Sequence, residues 1–158
     1  MKSAGLLLYR RRQGRIEVLL GHMGGPFWAR KDERAWSIPK GEHPETEDAV
    51  IAARREFEEE TGTPPPDGPT LDLGEVRQSG GKRVTAWAVE GDLDPAAVKS
   101  NTFQLEWPPR SGRRQEFPEI DRAGWFDLDT ARRKIVKGQV TLVDRLEERL
   151  AAAEDAAQ

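Results

Sequence analysis

The chain has 158 residues, 36% hydrophobic and 34% charged, with 25 Lys and Arg against 28 Asp and Glu. That length suits one domain, residues 1–158, around one core, and a formal net charge of −3 excludes a body-wide nucleic-acid-binding cation, so long nucleic acid is not an expected partner. Without cysteine there are no disulfides, zinc–thiolate sites or thiol nucleophiles; with only His22 and His43, a metal site must be built mostly from carboxylates, which favour hard cations such as Mg²⁺ or Mn²⁺.

The apolar run Gly5–Tyr9 is too short to span a bilayer or to serve as a signal-peptide core, and Arg10, Arg11 and Arg12 follow it rather than precede it. The chain therefore reads as soluble and cytoplasmic, with no membrane partner. Ser3–Tyr9 and Ile16–Gly21 are β-prone runs joined by the polar segment Arg10–Arg15, with Gly14 as the turn residue: a hairpin. Gly24-Gly25-Pro26-Phe27-Trp28 forms a loop, with Phe27 and Trp28 as a binding lip or a loop staple. A short apolar piece, Ala35–Ile38, then runs into Pro39-Lys40-Gly41. Thr46–Thr61 has a helical pattern, with Thr46 as N-cap, Glu47 and Asp48 at the positive end of the dipole, and Gly62 as the stop.

Leu71–Arg77, Arg83–Glu90 and Asn101–Trp107 read as strands, the second apolar on both faces and so covered on both sides. Pro108–Glu116 reads as a long loop, Ala123–Asp127 as a short strand, Asp129–Val136 and Val140–Ala152 as helices, and the last residues as a frayed end. Strands mixed with helices, without regular βαβ alternation, imply an α+β fold with a mixed sheet.

Chemistry concentrates between Gly41 and Gly62. At about 100° per residue, Glu56, Glu59 and Glu60 share one helical sector, with Ala49, Ala52 and Ala53 on or beside it and Val50 and Phe57 on an adjacent anchoring stripe. Packed against a sheet, three such anions repel one another and resist desolvation, and a divalent cation relieves both; the alanines leave room for its waters and for a phosphate. Residues 42–60 hold eight acids and two arginines, a local charge of −6 that leaves the remainder net +3. An acid-rich helix by itself is usually a solvated face with i,i+4 pairs such as Arg55 with Glu59. The spacing here goes further.

Gly41, Glu47, Arg55, Glu56, Phe57, Glu59, Glu60 and Gly62 match the pattern G-x5-E-x7-R-E-U-x-E-E-x-G-U, with U bulky and apolar, and the segment resembles the box of the Nudix hydrolases; Thr63 departs from it where a bulky aliphatic is expected. Trp36-Ser37-Ile38-Pro39-Lys40-Gly41 is similar to the W-x-x-P-x-G entry of many members. The resemblance implies an α/β/α sandwich and a loop–helix–loop holding Mg²⁺ or Mn²⁺, with Glu56, Glu59, Glu60 and the Gly41 carbonyl as ligands and with Arg55 and Glu47 bracing the helix. It implies hydrolysis of a nucleoside diphosphate linked to a further group X. The substrate would be a nucleoside triphosphate or a dinucleoside polyphosphate; an ADP-sugar, an RNA 5′ end or a catalytically silent sensing module are the alternatives.

Glu56, Glu116 and Glu119 stand as alternatives for the general base, alongside the catalytic role of Glu59. Lys40, Trp36, Arg83 and Arg114 are the candidates for holding substrate, with Lys82, Arg110, Arg113 and Trp107 as further phosphate or base contacts. Pro39-Lys40-Gly41 resembles the dinucleoside polyphosphate branch, whereas the downstream tyrosine of the asymmetric tetraphosphate hydrolases is missing, Tyr9 being the only tyrosine.

Overall fold

The computed structural model describes residues 2–157. The first hairpin forms from β1 (Lys2–Arg12) and β2 (Arg15–Met23), turned at Gln13 and Gly14, both at positive φ (53° and 76°). A two-residue turn with both residues in that region matches the twist of the flanking strands. Two short strands follow, β3 (Trp36–Ser37) and β4 (Lys40–His43), then helix α1 (Ala49–Thr61). Strands β5 (Thr70–Arg77), β6 (Arg83–Glu90), β7 (Thr102–Glu106), β8 (Arg114–Pro118) and β9 (Ile120–Asp127) lead to helices α2 (Leu128–Lys134) and α3 (Val140–Ala157).

β1 is the spine of a seven-stranded mixed sheet ordered β3-β2-β1-β6-β5, with β4 also on β1 and β9 also on β2; β7 and β8 form a separate two-stranded sheet. Its first residues pair antiparallel with β4, its last pair antiparallel with β2, and its other edge runs parallel to β6. Alternation along β1 then divides the core. Leu6 and Leu8 lie under α1 with Ala52, Ala53 and Phe57, whereas Leu7 and Tyr9 face the side covered by Ala131 and Ile135 and by Leu142, Val143, Leu146 and Leu150 of α3. Helices on both faces of a mixed sheet make an α+β fold with the layers expected from the sequence.

Four local expectations change. Asp48, not Thr46, caps α1, its carboxylate accepting from the Val50 N–H at 3.0 Å. Ala52 and Ala53 are wholly buried in the core; small side chains there let the helix approach the sheet rather than leave room for waters. The segment expected as a loop over 108–116 ends in strand β8, which returns along β7 as a hairpin. The C-terminal residues continue α3 to Ala157, tied to β1 by Arg11 and Glu154 at 2.9 Å. Gly62 does stop α1: its φ of 76° and its N–H to the Glu58 carbonyl at 2.8 Å close the last turn, and a Cβ there would meet the Lys99 carbonyl at 2.7 Å.

Candidate active site

Pairing of β4 with β1 brings the Lys40-Gly41 backbone against the inner flank of α1. A Cβ on Gly41 would collide with the Glu56 carboxylate, so only glycine lets this side chain lie against the strand. One turn later, Glu60 Oε1 accepts from the Lys40 backbone N–H at 3.3 Å. Arg55 completes the arrangement on the other flank. Its guanidinium takes both oxygens of Glu47 (2.8 and 3.0 Å) and also donates to Glu56 Oε1 at 2.8 Å and Glu59 Oε1 at 3.1 Å. The brace expected of Arg55 and Glu47 thus extends to two acids of the cluster: to Glu59, its i,i+4 neighbour, and to Glu56, which the helical sector did not indicate.

Glu56, Glu59, Glu60, Lys40, Gly41 and Glu119 line one cavity of about 480 Å³, together with Ser37, Lys82 and Asn101. The cluster is electrostatically uneasy. Burial, opposed by the Lys40 backbone N–H and ammonium and reinforced by Glu119 and Glu56, pushes the Glu60 carboxyl up to about 8. Burial and then Glu59 raise Glu56 against the pull of Arg55. Burial raises Glu119, with Lys40 drawing it back. Glu47, beside Arg55, is lowered instead.

No group of three His, Cys, Asp or Glu side chains among the described residues is drawn together at metal-ligand spacing as it stands. The donor chemistry nevertheless fits a hard divalent cation. Glu56, Glu59 and Glu60 each have Oε1 engaged by Arg55 or by the Lys40 N–H, and no backbone N–H, lysine or arginine among the described residues donates to their Oε2 atoms. A guanidinium already bridges two of the acids, and Glu60 is a half-buried acid that no lysine or arginine among the described residues reaches at ion-pair distance, although the Lys40 ammonium acts on it from further away.

The other sequence candidates divide. Lys40 lies in the cavity; Trp36, Arg83, Arg114 and Glu116 do not. Trp36 is 5% exposed, with its indole N–H donating to Asp32 at 3.0 Å and its ring edge-on to His22 and Phe126, so it is a core residue and no platform for a base. Arg83 faces Glu75 at 3.6 Å at the start of β6. Arg114 is exposed at the start of β8, and Glu116 is exposed on the same strand, accepting from Thr102 Oγ1 at 3.0 Å.

Glu119 is carried into the cavity by backbone bonds: its N–H donates to the Asn101 carbonyl at 2.9 Å, its carbonyl accepts from the Gly24 N–H at 3.0 Å, and the Asn101 N–H donates to the Glu59 carbonyl at 2.9 Å. A side chain on Gly24 would collide with the Pro118 carbonyl, which explains one glycine of the loop. Sequence reasoning passed over Ser37 and Asn101 as cavity residues. Nothing local marks either; they arrive through strand pairing and long-range backbone contacts.

A mixed sheet lies between helices, and a glycine-bearing strand faces a carboxylate-bearing helix, the arrangement expected from the resemblance. The NUDIX domain family matches residues 1–146, and the chain belongs to that family. Solved structures agree on the fold. A Caenorhabditis elegans Ap4A hydrolase in a binary complex superposes with a TM-score of 0.64 at 23% identity, covering 96% of this chain and 99% of that one. The NUDIX domain of Shewanella oneidensis NrtR, complexed with ADP ribose, gives 0.61 at 18% over 95% and 88%. The Mycobacterium smegmatis Nudix hydrolase RenU gives 0.58 at 24% over 96% and 86%. No curated relative matches the chain significantly. No helix among the described residues is long and apolar enough to cross a membrane.

Proposed function

We propose that this chain is a Mg²⁺- or Mn²⁺-dependent pyrophosphohydrolase cleaving the phosphoanhydride of a nucleoside diphosphate linked to X, with a nucleoside triphosphate or dinucleoside polyphosphate as substrate. The observation that supports this most directly is the meeting of Glu56, Glu59, Glu60, Gly41, Lys40 and Glu119 in one cavity. Glu56, Glu59 and Glu60, with the Gly41 carbonyl, would hold the cation through the oxygens that Arg55 leaves free. Bound there, the metal supplies charge neutralisation at the phosphoryl oxygens and acidifies water.

The protein's own groups do the rest. Lys40 contributes a positive charge at the cavity wall, where it attracts a phosphate oxygen. Arg55 fixes the rotamers of Glu56 and Glu59 by tying both to Glu47, so the acids are held before substrate arrives. Glu119 is our choice of proton acceptor for the attacking water. It lines the cavity, no arginine pairs with it among the described residues, and burial raises its proton affinity, with Lys40 drawing it back. Glu116, exposed and bonded to Thr102, is set aside for that role. Glu56 is engaged by Arg55 and packed on Gly41, which suits a ligand better than a proton carrier.

The test is turnover on a panel of nucleoside triphosphates, dinucleoside polyphosphates and ADP-ribose with Mg²⁺ or Mn²⁺, comparing the wild type with Glu60→Gln and Glu119→Gln. Glu60→Gln should lose on the order of 100-fold in activity while keeping its circular dichroism. Glu119→Gln should flatten the acidic limb of the pH–rate profile, and Glu116→Gln should leave that limb unchanged. Wild-type turnover by Glu60→Gln at saturating metal would overturn the assignment.

A further inference from the structure

A second cavity, of about 510 Å³, adjoins the acid-lined one: Met23 lines both. Its walls mix Met23, Trp28 and Val136 with Arg77, Gln78 and Lys137. The apolar half suits a flat aromatic group. The polar half is donor-rich, with exposed Arg77 and Lys137 bringing two positive charges.

The orientation of Gln78 follows from a chain of hydrogen bonds anchored on a backbone group. The buried Ile38 N–H donates to Gln139 Oε1 at 3.0 Å, so the other end of that amide is its NH₂. That NH₂ donates to Ser37 Oγ at 3.0 Å, whose own proton goes to the Ile38 carbonyl at 2.8 Å, and to Gln78 Oε1 at 3.0 Å. Gln139 is wholly buried, so the arrangement is shielded from water. Gln78 therefore has its oxygen committed and its Nε2 hydrogens uncommitted among the described residues, on a side chain that lines the cavity. Its backbone is held as well: a Cβ on Gly138 would meet Gln78 Cα at 2.8 Å, so the 137–139 turn lies directly on it.

We propose that this second cavity takes the base of the nucleotide whose phosphates lie over the acid cluster, and that Gln78, oriented by Gln139, selects a base presenting acceptors, guanine over adenine. The inference rests on the proposed hydrolase reading for the placement of the phosphates. Guanine offers O6 and N7 as adjacent acceptors, whereas adenine offers N7 beside the N6 donor. A glutamine free at both ends reads adenine through oxygen and nitrogen together; in Gln78 the oxygen is turned towards Gln139 with one lone pair occupied, so the NH₂ is the end left to meet a ligand. Of the other polar side chains in the wall, Arg77 and Lys137 add donors only, whereas the Ser79 hydroxyl can donate or accept, so Gln78 carries the discrimination.

The experiment uses the full chain and measures binding of GMP and AMP by calorimetry without divalent cation, then hydrolysis of GTP and ATP with Mg²⁺, for the wild type, Gln78→Glu and Gln78→Leu. Gln78→Glu keeps an oxygen for Gln139 and turns the free donors into an acceptor. The wild type should bind GMP about 10-fold or more tighter than AMP. Gln78→Glu should abolish or reverse that ratio, and Gln78→Leu should bring it towards one, so the pair covers the case in which one variant folds poorly. Equal binding of GMP and AMP by the wild type, or a ratio unmoved by both variants, overturns the proposal. If GTP and ATP are hydrolysed with a preference indifferent to Gln78, the base pocket fails and the hydrolase reading survives. If neither they nor other nucleotides are hydrolysed while GMP binding depends on Gln78, the hydrolase reading fails and the pocket survives.

Discussion

Gly41 is where a single missing side chain decides the site. The Glu56 carboxylate occupies the volume a Cβ would need, and Glu60 is held one turn on by the adjacent Lys40 N–H. Gly41→Ala should therefore leave the sheet intact, since a strand accepts alanine, but displace Glu56. Metal-dependent turnover should fall on the order of 10–100-fold, as for other changes that misplace ligand carboxylates, with a weaker metal titration and a thermal midpoint within a few degrees of the wild type. Unchanged metal affinity in that variant would show that Glu56 has another resting place. Gly41, Glu56, Glu59 and Glu60 were legible in the sequence because helical phase and a fixed spacing are local properties. Trp36 and Glu116 were misleading for the complementary reason. Nothing in an isolated Trp-Ser-Ile says that the ring meets His22 and Phe126 in the core, and nothing in Arg-Gln-Glu-Phe-Pro-Glu says which glutamate the Asn101 and Gly24 backbones will carry inward.

Elements were legible where their ends carry their own chemistry. The β1–β2 turn and the Gly62 stop need left-handed backbone, and the residues there supply it. Strand β8 was not, because its partner β7 is what turns an arginine-rich stretch into a strand, and β7 lies across a loop. Helix α2, expected from the sequence to start at Asp129, starts at Leu128 behind a cap, Asp127, that the sequence pattern shows only as the end of the preceding strand. Asp127 accepts from the Thr130 N–H at 2.8 Å, and that bond, followed by the Thr130 hydroxyl, holds its carboxyl below the usual range. A lowered carboxyl stabilises the fold above its unfolded value, near 4, and the contribution disappears as pH falls through the folded value. Asp127→Ala should cost about 1 kcal/mol at pH 7 by urea unfolding. The gap between wild type and variant should narrow as pH drops from about 5 to 2, whereas Asp127→Asn, which keeps an acceptor without a titrating group, should show no such narrowing relative to Asp127→Ala. A gap constant down to pH 2 would mean that the charge on Asp127 contributes nothing.

At the scale of the molecule, the two cavities are joined through Gln139, at the turn between α2 and α3. Its amide reaches Ile38 beside β4, Ser37 in the wall of the acid-lined cavity, and Gln78 in the wall of the other, so chain segments some 60 and 100 positions apart meet on one buried side chain. No periodicity in the sequence could announce this residue, because its role exists only once β3, the β5–β6 turn and the start of α3 are packed together. Gln139→Met fills nearly the same volume but offers the Ile38 N–H no good acceptor. A buried donor left without a partner costs about 1–3 kcal/mol, and that loss should appear as a lower urea midpoint at unchanged slope. The variant should also let Gln78 turn its amide freely. Its guanine preference should then relax towards that of Gln78→Leu, although no atom of Gln139 need touch the nucleotide. Destabilisation without any change in base preference would make Gln139 a fastener for the fold alone.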